Sequence, residues 1–314
     1  MSVITTLELT KTYPRVTALD RLSVSVASGI TGLVGANGAG KSTLIKILLG
    51  LLPPNGGSAS VLGFNIANQG SEIRARVGYM PEHDCLPPDV SASELVVHMA
   101  RMSGLPLASA RERAADVLRH VGLYEERYRP IGGYSTGMRQ RVKLAQALVH
   151  DPLLVFLDEP TNGLDPQARD EMLDLIRRIG SEFGIAVLVT SHLLGELERI
   201  SDYVIILDSG RLLRASSTAE FLVRTGVLHV EVQGPPEAND MEVRDRLGHA
   251  LHQAGLYVWP DGRGVAVRFN DESVFDLIRD TTVDLGLGLV RLEQGHHRIE
   301  DVFREEVAGH VPPA

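Results

Sequence analysis

The sequence predicts an α/β domain followed by a smaller α+β domain, and three observations lead to that prediction. A glycine-rich segment, residues 35–42, lies between a short apolar run that is typical of a buried strand and a segment with helical character. A second apolar run, residues 153–157, is typical of a strand buried on both faces of a parallel sheet. Beyond residue 224 the predicted order changes to β-α-β-β-α-β, which indicates a separate fold.

The glycine-rich segment, residues 35–42, fits the pattern of a glycine, four residues, and then glycine-lysine-serine. Glycines let the backbone curl tightly around an anion with its N–H groups pointing inward. We expect Lys41 to reach the outer phosphates of a nucleotide and the Ser42 hydroxyl to bind Mg²⁺. A chance glycine-rich turn is the alternative. The strand before it and the helix after it, whose positive end faces the anion, favour the phosphate site.

The composition limits the classes of function that the chain can have. The chain has 314 residues and a net charge of −9, which argues against a nucleic-acid platform because such a surface should be basic. Its single cysteine, Cys85, excludes an intrachain disulfide framework and a paired-cysteine zinc site. The sequence has no apolar run long enough for a membrane span, so we expect that no part of it crosses a membrane.

Polar residues follow several of the predicted strands. Asp158 and Glu159 come directly after residues 153–157, where ligands gather at the carboxyl edge of such a sheet. Asp158 suits the Mg²⁺ shell, and Glu159 is placed to orient or deprotonate a water molecule. A solvated acidic turn is the alternative. His192 and Glu82 also follow predicted strands, which makes contact with the terminal phosphate the better interpretation of His192.

The segment from about residue 86 to residue 150 is predicted to be a helical insert. Ser91, with Glu94 three residues later, begins a helix over residues 91–102, and a second helix is predicted over 108–121. Ser135 begins a third, which is either a plain helix cap or a second phosphate site. Asp165 is expected to cap a further helix. Tyr13, at the end of the first strand, is either an ordinary strand-end residue or a platform for a nucleotide base.

The ordered set of these motifs resembles the nucleotide-binding subunit of an ABC transporter, in particular the subunits of bacterial antibiotic-resistance and multidrug exporters. The resemblance covers about residues 1–224 and implies a P-loop NTPase core with an antiparallel β lobe and a helical insert. By this resemblance, residues 35–42 are the Walker A loop, Asp158 closes Walker B, and Glu159 is the catalytic carboxylate. Residues 135–137 lie in the signature motif, Asp165 lies in the D-loop, His192 is the switch histidine, and Tyr13 matches the adenine-stacking aromatic.

The resemblance therefore implies a full set of site residues, with ATP as the nucleotide and Mg²⁺ as its metal. The expected catalytic residues are Lys41, Glu159 and His192. The expected contacts to ATP are Tyr13, Gly35, Asn37, Gly38, Ala39, Gly40, Lys41, Ser42, Thr43, Glu82, Ser135, Gly137 and Asp165. The expected Mg²⁺ ligands are Ser42, Glu82 and Asp158.

Two positions depart from the family pattern. Residues 134–138 read Tyr-Ser-Thr-Gly-Met where the family has Leu-Ser-Gly-Gly-Gln, although the serine and the second glycine remain. Glu82 stands where the family has the Q-loop glutamine. A carboxylate can bind Mg²⁺ but has no amide N–H to donate, so Glu82 is expected to alter the coupling between nucleotide and partner.

The resemblance also implies the partners. Two copies would face each other, with each ATP between the Walker A loop of one copy and residues 135–137 of the other. A membrane-spanning permease would be a separate chain, and the subunit would lie peripherally on the cytoplasmic face of the cell membrane, with no nucleic acid expected. The alternatives to an exporter subunit are a soluble ABC-type ATPase acting on the ribosome or DNA, and a simple P-loop kinase or GTPase switch.

Residues 225–314 are predicted to form an accessory α+β domain that resembles a ferredoxin-like sandwich. Its last helix is predicted over residues 299–307, and Trp259 is expected in its core. The adjacent pair His296 and His297 is not expected to hold a metal, because neighbouring side chains face apart and no third ligand is evident.

Overall fold

The computed structural model describes residues 2–221, 224–235, 239–269, 271 and 273–296. The chain divides into two compact units, of which the first runs to Thr218 and the second begins at Ala219. The sequence-based boundary after residue 224 lies a few residues later. The predicted helix over residues 299–307 lies outside the described residues, as do His297 and the side chain of His296.

The first unit alternates strands and helices. In chain order its strands are β1 (Ser2–Tyr13), β2 (Val16–Ala27), β3 (Ile30–Val34), β4 (Gly56–Val61), β5 (Phe64–Asn65), β6 (Val77–Met80), β7 (Leu154–Leu157), β8 (Ala186–Ser191), β9 (Tyr203–Asp208) and β10 (Arg211–Ser217). Its helices are α1 (Lys41–Leu48), α2 (Gly70–Arg74), α3 (Ala92–Met102), α4 (Leu107–His120), α5 (Thr136–Leu148), α6 (Pro166–Glu182) and α7 (Leu194–Ile200), and α8 (Thr218–Phe221) follows at the boundary between the units.

These strands form two sheets. An antiparallel sheet has the order β2-β1-β4-β5, and a six-stranded sheet has the order β10-β9-β3-β8-β7-β6. Within the larger sheet, β3 is parallel to both β8 and β9, and β7 is parallel to both β6 and β8. Every residue of β3 and of β7 is buried, because apolar runs of this kind are covered on both faces. The carboxyl ends of β3, β6, β7 and β8 therefore meet at one edge.

The helical insert has the local signals that the sequence predicts. The Ser91 side chain accepts a hydrogen bond from the Glu94 amide, and the Glu94 carboxylate accepts one from the Ser91 amide. This reciprocal cap satisfies amide groups that have no partner inside a helix. It starts α3 directly after Ser91. None of the helices in the described part of the chain is long and apolar enough to cross a membrane.

The second unit has the β-α-β-β-α-β order that the sequence predicts. Its elements are β11 (Arg224–Gln233), α9 (Asp240–Gln253), β12 (Tyr257–Asp261), β13 (Gly264–Arg268), α10 (Ser273–Asp284) and β14 (Gly288–His296). The sheet has the order β12-β13-β11-β14, and all of its pairings are antiparallel. A separate apolar core includes Leu228, Leu247 and Val267, which are fully buried.

The prediction for Trp259 is wrong. Its side chain is only half-buried, and it lies outside the apolar core of the second unit. The physical reason is its place on β12, an edge strand, where the neighbouring Val258 packs against that core. Successive side chains on a strand point to opposite faces, so Trp259 faces away from the core and contacts Tyr257.

Candidate nucleotide site

The glycine-rich loop leaves the central strand β3 and enters α1 with no room for side chains at two of its glycines. A Cβ on Gly35 would lie 2.6 Å from the Leu207 carbonyl oxygen, and a Cβ on Gly40 would lie 2.3 Å from the Ala18 carbonyl oxygen. Gly40 also caps α1 in the left-handed conformation, at φ 102°. The loop is therefore held in a tight curve by the strands beside it, with the start of α1 at its end.

Lys41 folds back over this loop. Its side chain is 7% exposed, and its Nζ donates a hydrogen bond to the Gly35 carbonyl oxygen at 2.7 Å. The same Nζ lies 3.5 Å from Oε1 of Glu159, in an ion pair. Since both side chains are buried, the pair offsets part of the cost of removing each charge from water. The loop lysine and the carboxylate after β7 thus meet at one point.

Asp158 and Glu159 are held by the hydroxyl of Thr190 at the end of β8. Thr190 Oγ1 donates a hydrogen bond to Oδ1 of Asp158 at 2.9 Å and accepts one from the Glu159 amide at 2.8 Å. Ser42 Oγ donates to the same Asp158 oxygen at 3.3 Å. Glu159 itself is in the left-handed conformation, at φ 49°. This conformation is uncommon for a residue with a side chain and is maintained by the contacts around it.

The Glu159 carboxylate lies between two nitrogen groups. Its Oε2 is 2.8 Å from Nδ1 of His192, and its Oε1 faces Lys41 without forming a hydrogen bond in the described part of the chain. His192 remains 47% exposed, so its ring is accessible from outside. The carboxylate therefore has one oxygen bound to a histidine and one in an ion pair with a lysine.

Burial raises the pKa of Asp158 above its ordinary value. The hydrogen bonds from Thr190 and Ser42 oppose this shift because they favour the charged carboxylate, whereas Glu82 and Glu159 add to it by repulsion. A cation bound at this carboxylate would reverse the shift, since opposite charge favours ionisation. A cation bound there would thus stabilise the charged form of this carboxylate.

Most of the sequence-predicted site residues line one cavity of about 490 Å³. Its lining includes Tyr13, Asn37, Gly38, Ala39, Gly40, Lys41, Ser42, Thr43, Glu82 and Glu159. Three more predicted residues adjoin it through contacts already described: Gly35 with Lys41, Asp158 with Ser42, and His192 with Glu159. Glu82 enters from the carboxyl end of β6, where its Oε1 accepts a hydrogen bond from Asn162 at 3.4 Å.

Ser135, Gly137 and Asp165 do not line this cavity. Ser135 caps α5, and Asp165 caps α6 with its side chain bound to the Ala168 amide at 2.8 Å. A Cβ on Gly137 would lie 3.5 Å from Ala168, so the beginnings of these two helices lie side by side. These three residues therefore lie outside the cavity that the other predicted residues share.

Several polar residues at this edge were not predicted as site residues. Thr190 and Ser191 end a buried apolar strand, and Glu196 lies on a helix that the sequence analysis did not identify. Lys143, which is 3% exposed, donates a hydrogen bond to the Glu82 carbonyl oxygen at 2.9 Å. The scarcity of lysine, with only four in the chain, is a signal that could have singled out Lys143.

The sheet order and the glycine-rich loop with its lysine and paired carboxylates define a nucleotide-binding ATPase of the α/β class. The family model described as "ABC transporter" matches residues 19–162. The chain belongs to the ABC transporter family, as an ATP-binding subunit that hydrolyses ATP.

Two relatives agree with this assignment, and a solved structure agrees with the fold. The linearmycin resistance ATP-binding protein LnrL of Bacillus subtilis is 31% identical, over 93% of this chain and 94% of the relative. The daunorubicin/doxorubicin resistance ATP-binding protein DrrA of Streptomyces peucetius is 38% identical, over 78% of this chain and 76% of the relative. A dimeric ATP-binding cassette solved with ADP and Pi has a TM-score of 0.63 at 23% identity, over 68% of this chain and 98% of that one. This last likeness shows the fold.

Proposed function

We propose that this subunit powers the export of a small drug-like molecule through a separate membrane-spanning permease, on the cytoplasmic face of the membrane. The observation that carries the catalytic part of the proposal is the Glu159 carboxylate, held between Lys41 and His192 beside the glycine-rich loop. Support for export comes from relatives such as LnrL and DrrA, whose names refer to resistance to antibiotics and cytotoxic drugs.

In this proposal ATP occupies the 490 Å³ cavity. The adenine stacks on Tyr13, which is partly exposed at the end of β1, and the phosphates lie in the loop formed by residues 35–42. Lys41 leaves its contact with the Gly35 carbonyl to meet the β- and γ-phosphates. The proposed ATP position thus uses both the aromatic ring and the carboxylate that line the cavity.

The residues around Ser42 and Asp158 fit Mg²⁺. Both offer oxygen, which is the ligand that this cation prefers, and they are already within 3.3 Å of each other. Glu82 lines the same cavity and offers a further carboxylate. No group of three or more histidine, cysteine or acidic side chains in the described part of the chain could hold a metal by itself, so phosphate oxygens and water would complete the shell. When bound, Mg²⁺ neutralises charge on the phosphates.

Glu159 supplies the base for hydrolysis. It accepts a proton from water as the water oxygen bonds to the γ-phosphorus and the bond to the bridging oxygen of ADP breaks, which releases ADP and phosphate. His192 is hydrogen-bonded to Glu159 and partly exposed, so it can contact the γ-phosphate while orienting the carboxylate. General-base catalysis of this kind contributes roughly 10²–10⁴-fold in rate.

A second copy of the chain completes the site. The amide groups at the start of α5, near Ser135 and Gly137, bind the γ-phosphate held by the other copy, since the beginning of a helix favours anions. Asp165, at the start of the adjacent α6, lies in the same interface. ATP then closes the pair, and hydrolysis opens it.

The test is the variant Glu159→Gln, which keeps the shape of the side chain and removes its basic oxygen. We expect ATP to bind and persist, so light scattering should show a dimer in ATP and a monomer in ADP. Adding Ser135→Arg should abolish the dimer, because bulk and positive charge would stand where N–H groups meet phosphate. Ser181→Arg makes the same change at an exposed serine on α6 and should leave the dimer intact.

A Glu159→Gln protein that stays monomeric in ATP, alone and together with its permease, would contradict the paired site. The export part of the proposal is tested separately by purifying the native protein from membranes and identifying the chain that accompanies it. A permease is the expected result. A ribosome or DNA in its place would overturn that part.

A further inference from the structure

Glu196, on α7, is a buried carboxylate outside the nucleotide cavity. Its side chain is 7% exposed, and none of the motifs of the sequence analysis includes it. Its Oε2 accepts hydrogen bonds from Thr161 Oγ1 at 2.7 Å and from Ser191 Oγ at 2.8 Å. Its Oε1 lies 3.2 Å from Nε of Arg169. A carboxylate in this position needs such partners, because burying an unpaired charge is costly.

The three partners of Glu196 come from three segments of the site. Thr161 follows Glu159 by two positions, and Ser191 directly precedes His192. Arg169 lies one turn into α6, where its amide donates to the Asp165 carbonyl oxygen at 2.9 Å. Glu196 therefore joins the segment of the general base, the segment of the histidine and the helix that Asp165 begins.

The two contacts from hydroxyl groups are the hydrogen bonds of this arrangement. The Glu196 and Arg169 atoms form no hydrogen bond with each other, and neither atom has another hydrogen-bond partner in the described part of the chain. Arg169 thus compensates charge, while Thr161 and Ser191 fix the position of the carboxylate.

The segment around Glu159 is consequently hydrogen-bonded to the end of β8 at two positions. At Glu159 itself, the backbone amide donates a hydrogen bond to Thr190. Two residues later, Thr161 is joined through Glu196 to Ser191. Between these attachments Glu159 has its left-handed backbone and its contact of 2.8 Å with His192.

We propose that Glu196 is a positioning residue for ATP hydrolysis, holding the Glu159 and His192 segments in register through Thr161 and Ser191. This inference rests on the proposed role of Glu159 as the base. Glu196 does not line the nucleotide cavity, so its loss should impair the chemical step and leave ATP binding in place. Displacing a reacting group by about 1 Å can lower a rate as much as roughly 10²-fold.

The test uses the full-length protein and the matched pair Thr161→Val and Thr161→Ser. Valine keeps the shape of threonine and lacks the hydroxyl, whereas serine keeps the hydroxyl. We expect Thr161→Val to lower kcat by roughly 10- to 100-fold with a near-native KM for ATP, and Thr161→Ser to restore most of the rate. Glu196→Gln, which removes the charge, should follow Thr161→Val.

A control separates positioning from simple stabilisation of α7. Arg199 also joins α7 to α6, through an exposed ion pair with Asp170, and in the described part of the chain it forms no hydrogen bond with Thr161 or Ser191. Arg199→Gln should therefore leave kcat native. In a Glu159→Gln background, Thr161→Val should cause no further loss, because both changes act through the same base.

Native kcat in folded Thr161→Val would overturn the inference, as would equal losses in Thr161→Val and Thr161→Ser. Additional loss in the Glu159→Gln background would also overturn it, since the effect would then bypass the base. If Glu159→Gln itself hydrolysed ATP at the native rate, the proposed site would fail and this inference with it. A slow Glu159→Gln protein alongside a native Thr161→Val protein would remove only the positioning role.

Discussion

The two units of the chain bury very different side chains. The first unit buries Lys41, Asp158 and Glu159 at the carboxyl edge of its large sheet, where all three are at most 7% exposed. In the second unit, Thr282 is the buried polar residue within the described part of the chain, and its hydroxyl donates to the Ile278 carbonyl of its own helix. The remaining buried residues of that unit are apolar.

This contrast supports the place that we propose for the chemistry. Burying charge opposes folding unless the groups are paired, so a cluster of buried charges indicates a site that uses them. The second unit has an apolar core and needs no such compensation. We therefore expect substitutions in the first cluster to change turnover in a folded protein, and substitutions in the second core to change stability alone.

The largest expected effect comes from Lys41→Ala. Removing the ammonium group takes away the charge that we propose meets the outer phosphates, so ATP turnover should fall by about 10²–10³-fold while the protein stays folded. Lys46→Ala is the matched control, because Lys46 is exposed on the same helix. Nucleotide binding, ATPase rate and circular dichroism would be measured together. Hydrolysis at the native rate by the Lys41 variant would place the phosphate contact elsewhere.

The second unit should respond in the opposite way to Leu247→Ala. Leu247 is fully buried on α9, so its truncation should lower the free energy of unfolding by about 2–5 kcal/mol. Trp259 is the only tryptophan in the chain, and its fluorescence reports the unfolding of this unit in denaturant. ATP turnover at low temperature should stay native.

The exposed Met241 on the same helix provides the control for that measurement. Met241→Ala should change stability by no more than about 0.5 kcal/mol. A loss of ATP turnover in a folded Leu247→Ala protein would show that the second unit contributes to the site and would end the contrast between the units.

The smallest expected effect concerns His150, a half-buried histidine of the first unit whose Nε2 lies 3.2 Å from the Val77 carbonyl oxygen. Burial lowers its pKa from the ordinary 6.5. The unfolded chain therefore binds the proton more readily, and the contribution to stability is lost as the pH falls below 6.5. Each unit of pKa difference corresponds to about 1.4 kcal/mol.

His150→Gln should therefore lose less stability than the native protein between about pH 7 and about pH 5, with turnover unchanged at neutral pH. Glutamine can keep the hydrogen bond to the Val77 carbonyl without titrating. His83→Gln, at an exposed position, should retain the native pH dependence. If the free energy of unfolding depended on pH in the same way in His150→Gln and in the native protein, His150 would not be the source of the acid-induced loss.

Much of the nucleotide cavity could be predicted because its signals are local. The lining residues from Asn37 to Thr43 belong to one spaced motif, and Ser91 with Glu94 forms a cap within four positions. The roles of these residues toward ATP stay predictions.

The supporting contacts could not be predicted, because they depend on which strands are neighbours. Thr190 holds the Glu159 amide across 31 positions, and Glu196 binds Thr161 across 35 positions. A hydroxyl at the end of an apolar strand has no local signature that distinguishes it from an ordinary strand residue. The placement of Trp259 failed for a similar reason, since the sequence did not show that its strand lies at an edge.

The four lysines differ in their accessibility. Lys11, Lys41 and Lys143 are buried, and each donates a hydrogen bond to a backbone carbonyl, of Pro53, Gly35 and Glu82 respectively. Lys46 is the exposed one. An amine-reactive reagent applied to the folded protein is therefore directed, among lysine side chains, to Lys46, while unfolding makes the other three available. The number of modified lysines, measured by mass spectrometry, thus distinguishes folded from unfolded molecules. Lys46 also offers an attachment point for a dye on α1, the helix that follows the glycine-rich loop.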